Sequence, residues 1–138
     1  MSNIVEFFIA PDHQSATSVL NCGPGHAFES MACENLDLED LIEWEDLLTG
    51  HYDDHLLLHT DDDEEQRSVV LAVSGHLHVA LRYASPSRLA AVSEQWVRER
   101  AQDGDDFEAG PIAEILSGLA ALARTATGRG QRVYCWLA

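Results

Sequence analysis

The chain has 138 residues, of which 46% are hydrophobic, and a formal net charge of −16. This is the usual length of one domain, and a chain of this size can bury roughly two thirds of its unfolded surface, so we expect a single domain over residues 1–138. The sequence contains neither an apolar run of about eighteen residues nor the charged and apolar start of a signal peptide. These features argue against a membrane span and predict a cytoplasmic protein. The use of Arg without Lys, with abundant Ala, Gly and Asp, is typical of a GC-rich bacterial genome.

The charge is divided unevenly along the chain. The first 66 residues contain seventeen acids and no Arg or Lys, whereas the remaining 72 contain seven acids and all eight Arg. A surface of one sign repels nucleic acid and anionic membranes and attracts cationic partners. We therefore expect no nucleic-acid and no membrane partner, and a basic protein as the partner of the acidic half. The sequence leaves the oligomeric state open.

The N-terminal half reads as two strands and two helices. Residues 3 to 10 are apolar and β-branched or aromatic, which predicts a strand that stops at Pro11. Asp12 can cap a short helix before the loop of residues 21–25, and residues 27 to 35 predict a second strand. A clear helix begins at Asp37 and ends at Gly50. Its apolar side gathers Leu38, Leu41, Ile42, Trp44 and Leu48, and its other side carries Glu39, Glu43 and Asp46 as a solvated acidic surface.

The middle of the chain is less regular. Residues 51 to 66 predict a loop with a short strand at 56–58, because five adjacent acids at 61–65 cannot pack. Residues 68 to 73 form an apolar segment. Residues 75 to 84 fit a helix capped by Ser74, and they also fit a strand, since Leu77, Val79 and Leu81 alternate. The helix is the favoured interpretation, and the strand stays open.

The C-terminal half predicts two longer helices and a closing strand. Ser85 followed by Pro86 is a start signal for a helix to Ala101, and a further helix runs from Pro111 to Ala126. An acidic loop at 103–108 separates them, and residues 132–137 predict the last strand. The fold class is therefore α+β, a single compact domain with a small mixed sheet that includes both terminal strands and three to four packed helices. The helices should pack through Trp44, Trp96 and Leu119.

Three short segments carry a resemblance to a known family. They are Trp44 with Leu47-Leu48-Thr49-Gly50, then Leu71-Ala72-Val73-Ser74-Gly75, and finally Val133-Tyr134-Cys135-Trp136-Leu137 after a glycine-terminated helix. In this layout the chain resembles the YfbM-like bacterial proteins. The resemblance implies a small mixed α/β domain of unassigned biochemical activity, and it transfers no catalytic residue to this chain.

The histidines are the residues most suggestive of a metal-binding site, because five of the seven lie between residues 51 and 78. His51, His55 and His59 are spaced four apart, so a continuous helix would align three imidazoles that could hold Zn²⁺ or Ni²⁺. The preceding Gly50 and the poor helix formers at 52–54 disfavour that helix. His76 and His78 could share a metal only if their segment were a strand. We therefore expect no stoichiometric transition metal and no cofactor. The acids at 61–65 also lack the ligand spacing of a calcium loop.

No catalytic motif is present. Cys33 and Cys135 lie in apolar runs without a positive neighbour, and the three cysteines of the chain, with Cys22, read as reduced thiols. No serine lies in a G-x-S-x-G turn, and no glycine-rich segment fits a phosphate-binding loop. The sequence thus favours a non-catalytic module, of the immunity-protein or adaptor kind, that binds a basic protein.

The predicted docking face consists of acids from the N-terminal half: Glu39, Glu43, Asp46, Asp53, Asp54, Asp61, Asp62, Asp63, Glu64 and Glu65. Electrostatic attraction at such a face would accelerate association with a basic partner. Two alternatives compete with this interpretation. The acidity can serve only solubility, or the segment from His51 to His78 can belong to a metal-binding protein or a metal-dependent enzyme.

Overall fold

A computed structural model describes residues 4–19, 23–25, 28–34, 36, 38–50, 56–60 and 68–137, without the side chains of residues 38 and 56–60. The elements in chain order are β1 (Ile4–Ala10), α1 (His13–Thr17), β2 (Ser30–Glu34), α2 (Leu38–Thr49), β3 (Leu56–Thr60), β4 (Val69–Ala72), α3 (Gly75–Tyr83), α4 (Pro86–Gln102), α5 (Ala109–Gly128) and β5 (Arg132–Leu137). Within these ranges, no helix is both long and apolar enough to cross a bilayer.

The strands form one sheet in the order β2-β1-β5-β4-β3. The two terminal strands are direct neighbours, with Phe7 opposite Cys135, so the prediction that both lie in one sheet is confirmed. Every pairing among the described strands is antiparallel, and the sheet is therefore not mixed. The α+β fold class is confirmed.

Both faces of the sheet carry buried residues. Alternate residues of a strand point to opposite faces, and β1 follows this rule. Its residues Val5, Phe7 and Ile9 belong to the core shared with the longer helices. Phe8 and Ala10 belong to a second cluster with Tyr134 and with residues of α1 and β4. The alternation fixes the strand register, because a slip of one residue would exchange the two faces.

The long helices cover one face. α5 contacts β1, β2 and β5, and Leu116 and Leu119 on its inner side are fully buried. α4 packs on α5 and α2. Trp96 of α4 reaches the core through aromatic contacts, with its ring centroid 5.6 Å from that of Trp44 and 4.7 Å from that of Phe107.

The ambiguous segment after β4 is helical, as favoured. The side chain of Ser74 accepts a hydrogen bond from the backbone N–H of Leu77 (3.2 Å) and thereby caps α3. Leu77 and Leu81, one turn apart, are both buried. The capping residue and the helical spacing therefore decide against the strand.

Gly23 allows the close packing of Trp136 on the second face. Its φ is +77°, and an added Cβ would lie 3.1 Å from the Trp136 ring. We expect Gly23→Ala to reduce the free energy of unfolding by about 2–4 kcal/mol, from left-handed backbone strain and a clash with a rigid ring. Gly25, with φ +51° and no atom of the described residues within 4 Å of an added Cβ, is the matched control, and Gly25→Ala should cost only about 1 kcal/mol of strain. Equal losses in urea unfolding would refute the packing role.

Candidate functional site: an acidic surface around Arg100

Arg100, near the end of α4, binds three carboxylates. Its guanidinium pairs with Asp40 and with Glu43 (2.5 Å) of α2, and with Asp105 (3.2 Å) of the following loop. We define the Arg100 surface as this arginine together with the acids of the first turns of α2 and of the loop 103–108. Its carboxylates belong to Glu39, Asp40, Glu43, Asp103, Asp105, Asp106 and Glu108.

Local backbone structure places these groups. Asp40 and Glu43 are three residues apart on α2 and therefore lie on neighbouring positions of one helix side. α4 ends in a Schellman motif, in which the N–H of Gly104 bonds to the carbonyl of Ala101 and the N–H of Asp105 bonds to the carbonyl of Arg100 (3.0 Å). Gly104 has φ +90°, which suits the left-handed position of this motif. The turn brings Asp105 back to the arginine that precedes it.

The side chains of the Arg100 surface differ in how far they are exposed to solvent. The side chain of Asp40 is only 5% exposed and that of Arg100 17%, whereas those of Glu43 and Asp105 are 41% and 45% exposed. Burial alone would lower the pKa of Arg100, and the charges of Asp40 and Glu43 outweigh it, so the pKa is raised overall. The arginine therefore stays charged, yet it is one cation among seven carboxylates.

Two aromatic rings support the surface from below. The guanidinium of Arg100 lies 5.4 Å from the centroid of Trp96, whose Nε1 donates a hydrogen bond to Glu43 (3.3 Å). Phe107, in the middle of the acidic loop, is half-buried against the same tryptophan. The loop is thus anchored through both its charged and its aromatic residues.

The structure places only part of the predicted docking face. Glu39 is exposed as expected, and Asp46 is half-buried. Glu43, expected to be simply solvated, is instead paired with Arg100. Asp53, Asp54 and the acids Asp61, Asp62, Asp63, Glu64 and Glu65 lie outside the described residues, so their role stays a prediction. Sequence reasoning missed that Arg100 binds acids of both α2 and the loop 103–108, because Asp40 and Arg100 lie sixty residues apart in the chain.

A second carboxylate of α2 lies inside the protein. Glu45 is 0% exposed, and its Oε2 accepts a hydrogen bond from the hydroxyl of Ser74 (2.9 Å). Because Ser74 also caps α3, this contact joins the side of α2 to the start of α3. Sequence reasoning missed it, since a glutamate among other acids reads as a surface residue.

The helix that would align His51, His55 and His59 as metal ligands, which the sequence already disfavoured, is not present where the structure describes this segment. His51 and His55 lie outside the described residues, and His59 lies in β3, so no continuous helix runs from His55 to His59. The strand alternative for His76 and His78 is also wrong, because both lie on α3. Among the described residues there is no group of three or more His, Cys, Asp or Glu that could hold a metal ion.

His78 has a structural partner instead. Its Nε2 lies 2.9 Å from Oγ1 of Thr127. That hydroxyl donates its proton to the carbonyl of Ala123 (2.9 Å), so His78 must be the donor. Burial lowers the pKa of His78, and the charges of Arg132 and Arg82 lower it further. We therefore expect a neutral imidazole near neutral pH, which joins α3 to the end of α5.

The two described cysteines are poor nucleophiles. Cys33 and Cys135 are both buried and free. Burial raises the pKa of Cys33 to about 11 and also raises that of Cys135. Because the thiolate is the reactive form, neither thiol fits nucleophilic catalysis at neutral pH.

Comparisons with known proteins give a fold resemblance without a function. No protein-family model matches the chain, and no curated protein matches it significantly. Among solved structures, YfbM from Escherichia coli, a protein of unknown function, matches with a TM-score of 0.47 and 10% sequence identity. The match covers 98% of this chain and 99% of that chain. The resemblance to the YfbM-like proteins that the sequence indicated is thus found in the structure as well, and it is weak.

Proposed function

We propose that this chain is a non-catalytic, cytoplasmic interaction module whose acidic surface binds a basic protein partner, in the manner of an immunity protein or an adaptor. The observation that carries the proposal is that Arg100 joins acids of α2 to the acidic loop 103–108, because its guanidinium pairs with Asp40, Glu43 and Asp105. Asp40 alone among the acids of the Arg100 surface is nearly buried, so it neutralises Arg100 from within, and the other six carboxylates of that surface are half or fully exposed.

The backbone that carries the acidic loop is held in place before a partner arrives. The Schellman turn and the packing of Phe107 on Trp96 fix the loop 103–108, so little backbone conformational entropy remains to be lost on docking. A half-buried aromatic residue surrounded by charges also matches the usual anatomy of an interface, with an apolar centre and a polar rim. A basic partner would be attracted by the charges and would contact the aromatic centre.

Electrostatic attraction at this surface has a measurable consequence. Salt at physiological strength screens exposed charges beyond about 8 Å, and association steered by charge slows as ionic strength rises. The chain should therefore capture a basic protein from a native lysate at low salt and capture much less of it at high salt.

Charge reversal tests which acids are responsible. The double variant Glu39→Lys, Asp106→Lys changes two exposed acids of the Arg100 surface and should lose the captured partner. The control Glu29→Lys, Glu94→Lys makes the same change in net charge at exposed acids elsewhere, and it should retain the partner. The side chain of Glu29 forms an exposed ion pair with Arg129 (3.4 Å), and such pairs contribute little stability. If both variants and both salt concentrations capture the partner equally, the acidity serves solubility and the proposal fails.

A further inference from the structure

The outer face of α3 carries a surface that is exposed among the residues the structure describes. Val79 and Tyr83 lie one helical turn apart and are 53% and 71% exposed, and both are large apolar residues. The guanidinium of Arg82 lies over the Tyr83 ring, 4.9 Å from its centroid. Val79 also lines an open groove between α2 and α3 that extends to Leu48.

A second arginine is fixed beside Tyr83. Arg124 of α5 donates from Nε to the carbonyl of Arg82 (3.2 Å) and from Nη2 to the carbonyl of Ala84 (3.1 Å). These carbonyls belong to the residues on either side of Tyr83, so the guanidinium is held at that point of the helix end. We define the Tyr83 surface as Val79, Arg82, Tyr83 and Arg124.

The chemistry of this surface selects an acidic partner with an apolar centre. Tyr and Arg are the residue types most enriched at the energetic centres of interfaces, and guanidinium groups recognise carboxylates with good geometry. The loop 103–108 of the Arg100 surface has the matching chemistry, because exposed carboxylates surround Phe107. The two surfaces are therefore complementary in both charge and apolar content.

The two surfaces cannot meet within one molecule. The acidic loop ends immediately before Ala109, the first residue of α5, and Arg124 lies fifteen residues further along the same helix. At 1.5 Å per residue the separation is about 22 Å. A contact between the two surfaces therefore joins two copies, and each copy contributes a different surface.

We propose that this chain associates head to tail, the Tyr83 surface of one copy binding the Arg100 surface of the next. The inference rests on the proposed function, because it takes the Arg100 surface as a docking surface and names a second copy as a partner. The like net charges of the copies oppose the contact, so association is weak and appears at high protein concentration. Added salt weakens both this repulsion between the copies and the local attraction at the contact. At the short distances within the contact, the attraction is the larger of the two.

Two variants separate the surfaces for the test. Arg82→Glu, Tyr83→Ala removes the Tyr83 surface and keeps the acidic one, whereas Asp103→Arg, Asp106→Arg does the reverse. All four side chains are exposed, so both variants should keep the melting temperature of the parent. Sedimentation velocity of the parent should show species larger than a dimer as concentration rises. Each variant alone should remain monomeric, and an equimolar mixture should form a dimer that grows no further.

A parent that is monomeric at every concentration would overturn the inference, and so would a closed dimer that persists in either variant alone. Failure here can be told apart from failure of the proposed function. One set of results would refute only the self-association. In that case the parent is monomeric, and both the parent and Arg82→Glu, Tyr83→Ala capture a basic protein. Glu39→Lys, Asp106→Lys does not capture it.

Discussion

Replacing Arg100 with Ala is expected to reduce the free energy of unfolding by about 3 kcal/mol, because breaking a buried ion pair by removing one partner is strongly destabilising. The change removes the guanidinium that pairs with Asp40, whose side chain is 5% exposed. It also removes the cation that covers the Trp96 ring and the anchor of Asp105. The contact between α2 and α4 should weaken as a result.

Urea unfolding checks this expectation, with Arg98→Ala as the control. Arg98 is an exposed arginine of the same helix, and its replacement should change stability by less than about 0.5 kcal/mol. A double-mutant cycle of Arg100→Ala with Asp40→Asn should also show a coupling energy of about 1 kcal/mol or more. Equal and small effects of the two arginine replacements would show that the pair does not hold α2 to α4.

Ser74→Ala is expected to cost about 2–4 kcal/mol, because the hydroxyl performs two tasks. It caps α3 by accepting from Leu77, which contributes about 1 kcal/mol, and it donates to the buried carboxylate of Glu45. An ordinary hydrogen bond contributes about 0.5–1.5 kcal/mol, and removing the donor of a buried acceptor costs about 1–3 kcal/mol.

The chain supplies a matched control in Ser85. This serine caps α4 in the same way, by accepting from the backbone N–H of Arg88 (3.1 Å), and it is exposed. Ser85→Ala should therefore cost only the capping contribution of about 1 kcal/mol. If thermal unfolding shows equal losses for the two serines, the contact between Ser74 and Glu45 adds no stability.

Local signals were sufficient to predict most of the fold. Pro11 and Gly50 mark element ends, and the Ser74 cap with the spacing of Leu77 and Leu81 is typical of a helix, as α3 proves to be. The pairing of the terminal strands followed from the need of their backbone groups for partners. These inferences depend on residues near one another in the chain, which is why the sequence was informative.

The candidate site depends on contacts that local patterns do not encode. Asp40 and Arg100 are sixty residues apart. Adding up the charges of each half of the chain did not reveal that Arg100 is neutralised by the acids around it. The loop 103–108 contributes to the acidic surface although it lies in the nearly neutral half. Glu45 shows the same limit, because only the position of Ser74 in three dimensions explains a fully buried carboxylate.

The most direct test of the Arg100 surface as a docking site is the association rate constant of the captured basic partner, measured at several ionic strengths. For the parent we expect the rate to fall steeply with salt. For Glu39→Lys, Asp106→Lys we expect a rate lower by about tenfold or more at low salt, a weaker salt dependence and an unchanged melting temperature. The control Glu29→Lys, Glu94→Lys should behave more like the parent. Equal rates for the parent and the Glu39→Lys, Asp106→Lys variant, or a parent rate that does not change with salt, would contradict the proposal that this acidic surface binds the partner.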